Sequence, residues 1–170
     1  MKKIILLFCF QFGLFAQAQE YSSANIHSHN DYAGPLPFYE AYANETGVIE
    51  ADVFLVKNDL LVSHTLEEIN PNNSLRSLYL EPLLLKFKAL NGKAYKSDKP
   101  LILMIDIKSE ADVTLKAIVE QLKTYPDLIS NKNFKVVISG NRPSPSKWSE
   151  YPVFIYFDGR LKETYTAQEL

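Results

Sequence analysis

The chain has 170 residues, of which 46% are hydrophobic and 22% are charged, and its formal net charge is −2. This composition is typical of one globular domain with enough apolar residues to form a core. A charge this close to neutral lacks the basic excess of nucleic-acid-binding proteins and does not point to a permanent anionic membrane partner. We therefore expect no nucleic-acid partner, and we take a monomer as the expected state.

The N-terminus has the three parts of a secretory signal peptide. Two lysines precede an apolar run at residues 4–16, and Ala16 and Ala18 are small residues where cleavage requires them. Because such a run is short for a membrane span, we expect a cleaved signal peptide over residues 1–18, with an uncleaved anchor as the alternative. Cys9, the single cysteine, lies inside this peptide, which suits an exported protein of the periplasm or the extracellular space.

Apolar runs bounded by Gly, Pro, Asn and Asp mark five strand candidates in the mature chain. They are, in order, residues 23–28, 48–57, 100–108, 134–139 and 153–157. Helices are predicted between them, at residues 38–45, 78–90 and 111–125. The first helix should end in a left-handed cap at Gly47, and the second should be interrupted at Pro82.

Continuous apolar strands that alternate with helices about five times are typical of a parallel sheet covered on both sides, so the predicted fold class is α/β. In such sheets functional side chains gather at the carboxyl ends of the strands. Polar residues are found at these ends: His29, Asp106, Lys108, Asn141, Arg142 and Asp158. A closed eight-stranded barrel takes about 250 residues, so we expect an open sheet or a barrel truncated after about five strand–helix units.

Glu50 and Asp52 lie two residues apart in the apolar run VIEADVFLVK. Alternate residues of a strand share a face, so both carboxylates point the same way. Two buried acids repel each other and lose hydration unless a cation compensates them. With Asp106 on the next strand, they predict an oxygen-rich site for one divalent cation, Ca²⁺ or Mg²⁺. The alternative is a solvent-facing edge strand with ordinary surface acids.

Histidines flank the predicted cation site. His29 follows the first strand candidate, and His64 ends the apolar extension after the second. One imidazole can take a proton or attack, while the other donates a proton. A single loop histidine is more often a solvated or core residue, but all three histidines of the chain lie beside predicted strand ends. Lys108, on the same face as Asp106, can neutralise a phosphate oxygen.

Four motifs then appear in the order of a known superfamily: HSHNDY, IEADVFLVKNDLLVSH, LYLEPL and LILMIDIK. Together they resemble the phosphatidylinositol-specific phospholipase C-like and glycerophosphodiester phosphodiesterase superfamily. More narrowly, they resemble a secreted bacterial branch that carries a His-Asn-Asp-Tyr motif. The resemblance extends over residues 25–160, which is almost the whole mature chain.

The resemblance implies a TIM-barrel-like fold and hydrolysis of a phosphodiester, either directly or through a cyclic product. The substrates implied are glycerophosphodiesters or phospholipid headgroups, with transient contact at a membrane surface for a lipid. The family's catalytic histidines fall on His29 and His64. Its metal ligands fall on Glu50, Asp52 and Asp106.

The resemblance also implies a set of phosphate ligands, with one departure. The strand-end lysine of the family falls on Lys108. Asn30 stands where better-known members have an arginine, so Asn30 and Arg142 are taken as the remaining phosphate ligands. About three strand–helix units of the family barrel are missing, so the phosphodiesterase-like domain at residues 19–170 is expected to be C-terminally incomplete.

Other interpretations stay open at this point. His27-x-His29 also resembles the metal-dependent amidohydrolases and the polymerase and histidinol phosphatase family, but those sites need more histidines, and only His64 follows. Otherwise His27 is a structural residue near the site. Asp31 either caps its loop or is a solvated turn acid. A third interpretation is a truncated, non-catalytic remnant.

Overall fold

The computed structural model describes residues 21–167. The signal peptide predicted at residues 1–18 lies outside the described residues. No helix between residues 21 and 167 combines the length and the apolar character that a membrane crossing requires.

One sheet of six strands organises the described chain. The strands are β1 (His27–Ser28), β2 (Val48–Val56), β3 (Asp59–Val62), β4 (Leu101–Ile107), β5 (Phe134–Gly140) and β6 (Ile155–Phe157). Five of them run parallel in the order β1-β2-β4-β5-β6, while β3 forms an antiparallel hairpin with β2. The α/β prediction is confirmed. The sheet of the described residues is open, with β1 and β6 at its edges, and it does not close into a barrel.

Helices and turns connect the strands. The helices are α1 (Tyr39–Ala43), α2 (Glu81–Ala89), α3 (Ala111–Lys123) and α4 (Pro126–Ile129). Three 3₁₀ turns are found at Ser23–Asn25, Asp31–Ala33 and Pro145–Glu150, and a π-helical turn, Arg76–Leu80, leads into α2. Pro82 lies in the first turn of α2, and the interruption predicted there is not seen, because the helical backbone continues from the π-helical turn into α2. The N–H that Pro82 lacks falls where π-helical hydrogen bonding gives way to α-helical hydrogen bonding.

The two faces of the sheet differ. Leu103, Ile105 and the other odd-numbered residues of β4 are buried in one core with Leu115 and Ile118 of α3. The even-numbered residues of β4, which include Met104, are only partly buried. The predicted cover on both sides is therefore complete on one face only. The other face of the sheet carries the acids of β2 and β4.

Two local predictions at the start of the sheet are wrong. The strand expected at residues 23–28 is shortened to β1, because a 3₁₀ turn occupies its first half. Glu45, with φ of 52°, takes the left-handed conformation that was expected at Gly47. Gly47 is required for another reason, since a Cβ atom there would lie 1.9 Å from the carbonyl oxygen of Ala24.

Candidate active site

Three carboxylates meet where β2 and β4 run side by side. The register pairs Asp52 with Asp106, and it pairs Glu50 with Met104 two residues earlier on the same face. One oxygen from each of the three acids lies within 4.8 Å of the others. Asp52 is 0% exposed and Glu50 is 4% exposed. The three predicted metal ligands therefore form one cluster, and the surface-acid alternative does not describe it.

The two oxygens of Asp52 have different surroundings. Oδ2 accepts a hydrogen bond from Tyr32 Oη at 2.7 Å and lies 3.1 Å from both His64 Nδ1 and Lys108 Nζ. Oδ1 is buried and has no hydrogen-bond partner among the described residues. A buried carboxylate oxygen without a donor is unfavourable, so Oδ1 is well placed to bind a cation.

Lys108 joins two of the acids. Its Nζ lies 3.1 Å from Asp106 Oδ1 as well as 3.1 Å from Asp52 Oδ2. Burial lowers the pKa of Lys108, but hydrogen bonds to Asp52 and Asp106 outweigh burial and raise the pKa. Lys108 is therefore a cation at neutral pH, and it offsets part of the negative charge. Ser139, beside Asp106 in the register, donates to its Oδ2 at 3.4 Å.

Two histidines at the end of β1 approach Glu50: His27 lies in the strand, and His29 follows it directly. His27 Nε2 lies 2.6 Å from one carboxylate oxygen, and His29 Nε2 lies 3.9 Å from the other. Burial raises the pKa of Glu50; the imidazoles of His27 and His29 oppose that rise, and the charges of Asp52 and Asp106 add to it. His27 is thus the histidine that holds Glu50 directly, in keeping with the structural role expected for it.

His29 and His64 approach different acids of the cluster. His29 approaches Glu50, and His64 approaches Asp52. Their side chains remain 70% and 58% exposed, respectively. Each ring therefore contacts the cluster through one nitrogen and stays accessible to a molecule bound over the acids.

The other two predicted phosphate ligands lie in different places. Asn30 follows His29 directly in a left-handed conformation, and its buried Oδ1 has no hydrogen-bond partner among the described residues. Arg142 lies in a separate cluster, where Nη2 donates to Glu163 at 2.7 Å and to Tyr165 at 2.9 Å. With its side chain 4% exposed, Arg142 is already neutralised and is not brought to the acids.

Asp31 fixes the loop that carries His29 and Asn30. Its carboxylate accepts hydrogen bonds from Phe38 N at 2.5 Å, Tyr79 Oη at 3.0 Å and Ser28 Oγ at 3.0 Å. Asp31 is 8% exposed, so the interpretation as a loop cap agrees with the structure, and the solvated turn acid does not.

Sequence reasoning missed Tyr32 and Gly140. Tyr32 is part of the quoted HSHNDY motif, but no periodicity in a loop indicates where its side chain points. Burial, followed by the hydrogen bond to Asp52, raises the pKa of Tyr32. Gly140 has φ of +68°, and a Cβ atom there would lie 2.2 Å from Asp106 Oδ1 and 2.6 Å from the Ile107 carbonyl oxygen. Only glycine lets β5 approach Asp106 so closely.

Comparison with known sequences places this geometry in a family. A sequence profile of the AIM6-like phosphodiesterase domain matches residues 17–142, and the chain belongs to this family. The matched segment contains every residue of the acid cluster and both flanking histidines. A phosphodiesterase-like family is therefore confirmed, whereas the narrower bacterial phospholipase C-like branch is not what the profile describes.

Individual relatives come from fungi. Altered inheritance of mitochondria protein 6 homolog of Arthroderma benhamiae is 30% identical over 168 residues, covering 81% of this chain and 54% of the relative. Altered inheritance of mitochondria protein 6 of Eremothecium gossypii is 32% identical over 145 residues, covering 70% of this chain and 37% of the relative. The chain thus spans about half the length, or less, of these relatives. No solved structure matches the chain.

Proposed function

We propose that the chain is a metal-dependent phosphoric diester hydrolase in which His29 and His64 act as acid and base. The observation that carries this proposal is a cluster of three carboxylates on adjacent parallel strands, two of them buried, with one exposed histidine near Glu50 and another near Asp52. Membership of a phosphodiesterase-like family supports the reaction class. We also propose that the chain is related to the phospholipase C-like and glycerophosphodiester phosphodiesterase superfamily. The TIM-barrel-like fold of that superfamily is part of this proposal.

The residues present fit a hard divalent cation. Three carboxylates supply the oxygen ligands that Ca²⁺ and Mg²⁺ prefer, and Oδ1 of Asp52 lacks any other partner among the described residues. Glu50, Asp52 and Asp106 would hold the ion. A bound ion would act as a Lewis acid toward the phosphoryl oxygens.

The flanking side chains supply the proton transfers. Hydrolysis requires one group to take a proton from the attacking hydroxyl and another to give a proton to the leaving oxygen. His64 contacts Asp52 through Nδ1, which leaves Nε2 for this exchange. His29 is the second exchanging group on the Glu50 side. Lys108, whose charge is maintained by its two aspartates, would bind a non-bridging phosphate oxygen.

The proposal extends to substrate and location. We propose glycerophosphodiesters or phospholipid headgroups as substrates, with transient contact at a membrane surface for lipids. We also propose export of the chain, on the basis of its N-terminal residues 1–18.

The hydrolysis of a glycerophosphodiester such as glycerophosphoethanolamine, whose leaving alkoxide needs a proton, tests this function. We expect activity that needs Mg²⁺ or Ca²⁺, that a chelator removes, and that falls about 100-fold or more in His29→Ala and in His64→Ala. Glu120→Gln, which removes an exposed acid of α3, should keep full activity. Hydrolysis that survives either histidine substitution would remove the acid–base assignment. A folded chain that binds the cation and hydrolyses nothing would support the non-catalytic remnant.

The amidohydrolase-type alternative receives no support from the geometry. Among the described residues, the group whose ligand atoms lie close enough to hold one ion consists of three acids and contains no histidine. His27 and His29 approach Glu50, but neither belongs to that group.

A further inference from the structure

Tyr32 reaches the acid cluster from the loop after β1. Its backbone lies in the 3₁₀ turn Asp31–Ala33, which the buried carboxylate of Asp31 anchors. From there the phenol oxygen lies 2.7 Å from Asp52 Oδ2 and 3.4 Å from His64 Nδ1. One hydroxyl therefore contacts both a proposed metal ligand and a proposed catalytic histidine.

The donors and acceptors that each side chain offers determine the direction of these hydrogen bonds. A phenol has one proton to donate, and an ionised carboxylate only accepts hydrogen bonds. The contact with Asp52 is the shorter one, so the phenol of Tyr32 donates its hydrogen bond to Asp52 Oδ2. The phenol oxygen then presents a lone pair to Nδ1 of His64, as does Asp52 Oδ2 at 3.1 Å.

His64 is thereby restricted to one tautomer. Because both neighbours of Nδ1 are acceptors, the neutral ring carries its proton on Nδ1. The other nitrogen, Nε2, has no partner among the described residues and keeps its lone pair. Nε2 is the nitrogen that a general base needs, and in the imidazolium it becomes the donating nitrogen of an acid.

We infer that Tyr32 is a positioning residue that acts through two neighbours. It holds Oδ2 of Asp52, so that Oδ1 is left for the cation, and it sets the tautomer and orientation of His64. The kinetic part of this inference rests on the proposed function. The parts that concern the tautomer and the cation do not require turnover.

The experiment compares Tyr32→Phe with Tyr42→Phe, because both remove one buried or half-buried phenol hydrogen bond. Tyr42 donates to the carbonyl oxygen of Ala94 at 2.7 Å and does not contact the acid cluster. Nitrogen-15 NMR of the neutral His64 ring reports its tautomer, calorimetric titration with Mg²⁺ reports cation affinity, and hydrolysis of glycerophosphoethanolamine reports kcat and KM. Thermal melting establishes that both variants fold.

For Tyr32→Phe we expect at least a twofold rise in the Nε2–H tautomer and about a tenfold weaker affinity for Mg²⁺. We also expect kcat to fall about tenfold with KM within twofold of the wild type. Tyr42→Phe should match the wild type in every measurement. Equal results for the two variants would overturn the inference.

A fall in kcat with an unchanged tautomer and unchanged cation affinity would overturn it as well, because positioning acts through those two quantities. If the wild type binds Mg²⁺ and hydrolyses nothing, the proposed function fails. The NMR and calorimetric measurements still decide the role of Tyr32 in that case.

Discussion

Asp31 and Asp52 are both buried aspartates, yet their surroundings differ. Within residues 21–167, the partners of the Asp31 carboxylate are neutral donors: Ser28 Oγ for one oxygen, and Phe38 N with Tyr79 Oη for the other. Asp52 has three partners on Oδ2, two of them cationic or able to become so, and none among the described residues on Oδ1. The first carboxylate is satisfied by the protein, and the second is only half satisfied.

This difference separates a structural acid from the acid that we propose as a cation ligand. Asp31 holds Phe38 at φ of 67° and ψ of −52°, where Tyr39 N donates to Pro37 O at 2.8 Å. This is a three-residue turn of a strained type, which persists because the carboxylate and the buried ring fix it. Asp52 holds no turn together. Its buried Oδ1 has no hydrogen-bond partner among the described residues, and the proposed cation would supply one.

The largest effect on stability is expected when Asp31 is replaced. Asp31→Ala removes the acceptor from two buried donors, Phe38 N and Tyr79 Oη, and should reduce the free energy of unfolding by about 3 kcal/mol. Urea denaturation measures the loss. Asp127→Ala, at an exposed acid of α4, is the control and should change stability by less than about 0.5 kcal/mol. A loss below about 1 kcal/mol would show that Asp31 does not hold the loop.

Asp52→Asn should lower the stability of the cation-bound protein more than that of the cation-free protein. At a Mg²⁺ concentration of about 100 Kd, a site in the native state adds about 2.7 kcal/mol of stability, and this gain should disappear in the variant. Without the ion, the variant should lose only about 1 kcal/mol, because Lys108 keeps its contact with Asp106.

Thermal melting with and without Mg²⁺ measures both quantities for Asp52→Asn. The exposed Glu120→Gln variant serves as a matched control for the loss of one negative charge. A full Mg²⁺ response in Asp52→Asn would contradict the assignment of this aspartate as a ligand.

The smallest effect is expected from Tyr79→Phe, at about 1 kcal/mol near neutral pH. Burial, followed by the charge of Asp31, raises the pKa of Tyr79. Because an unfolded tyrosine loses its proton near pH 10, the stability that the protonated phenol contributes is complete below that pH and is lost as the pH rises above it.

Urea denaturation at pH 8 and pH 11 checks this sign. The wild type should lose more stability between the two values than Tyr79→Phe does. Tyr156→Phe, at a side chain that is 45% exposed, should follow the wild type. An identical loss in Tyr79→Phe would show that Asp31 and burial do not control this phenol.

The parts of the fold in which side chains repeat at a regular spacing could be predicted from the sequence. Apolar runs located β2, β4 and β5 to within about two residues, and the two-residue period of a strand placed Glu50 and Asp52 on one face. The carboxyl-end rule brought Asp106 and Lys108 to the same site. A period could not show that the face of β4 that carries Met104 and Asp106 is only partly buried, because the apolar run of β4 is continuous over both faces.

Contacts made by loops could not be predicted, because no period fixes the direction of a loop side chain. Tyr32 follows Asp31 in sequence, and only the fold shows that one anchors the loop and the other enters the site. The sequence predicts Arg142 as a phosphate ligand because it follows a strand and because Asn30 stands where better-known members of the family have an arginine. The guanidinium of Arg142 instead pairs with Glu163, which lies 21 residues later, and no local sequence pattern predicts that contact.

The turn at Phe38 has a consequence for hydrogen exchange. The Phe38 amide donates to a buried carboxylate, and the residue is 0% exposed, although it lies outside every strand and helix. This amide should therefore exchange with deuterium as slowly as those of the central strands, while Leu36, 62% exposed in the same loop, exchanges quickly. One protected loop amide would then report whether the segment that carries His29 and Tyr32 is in place.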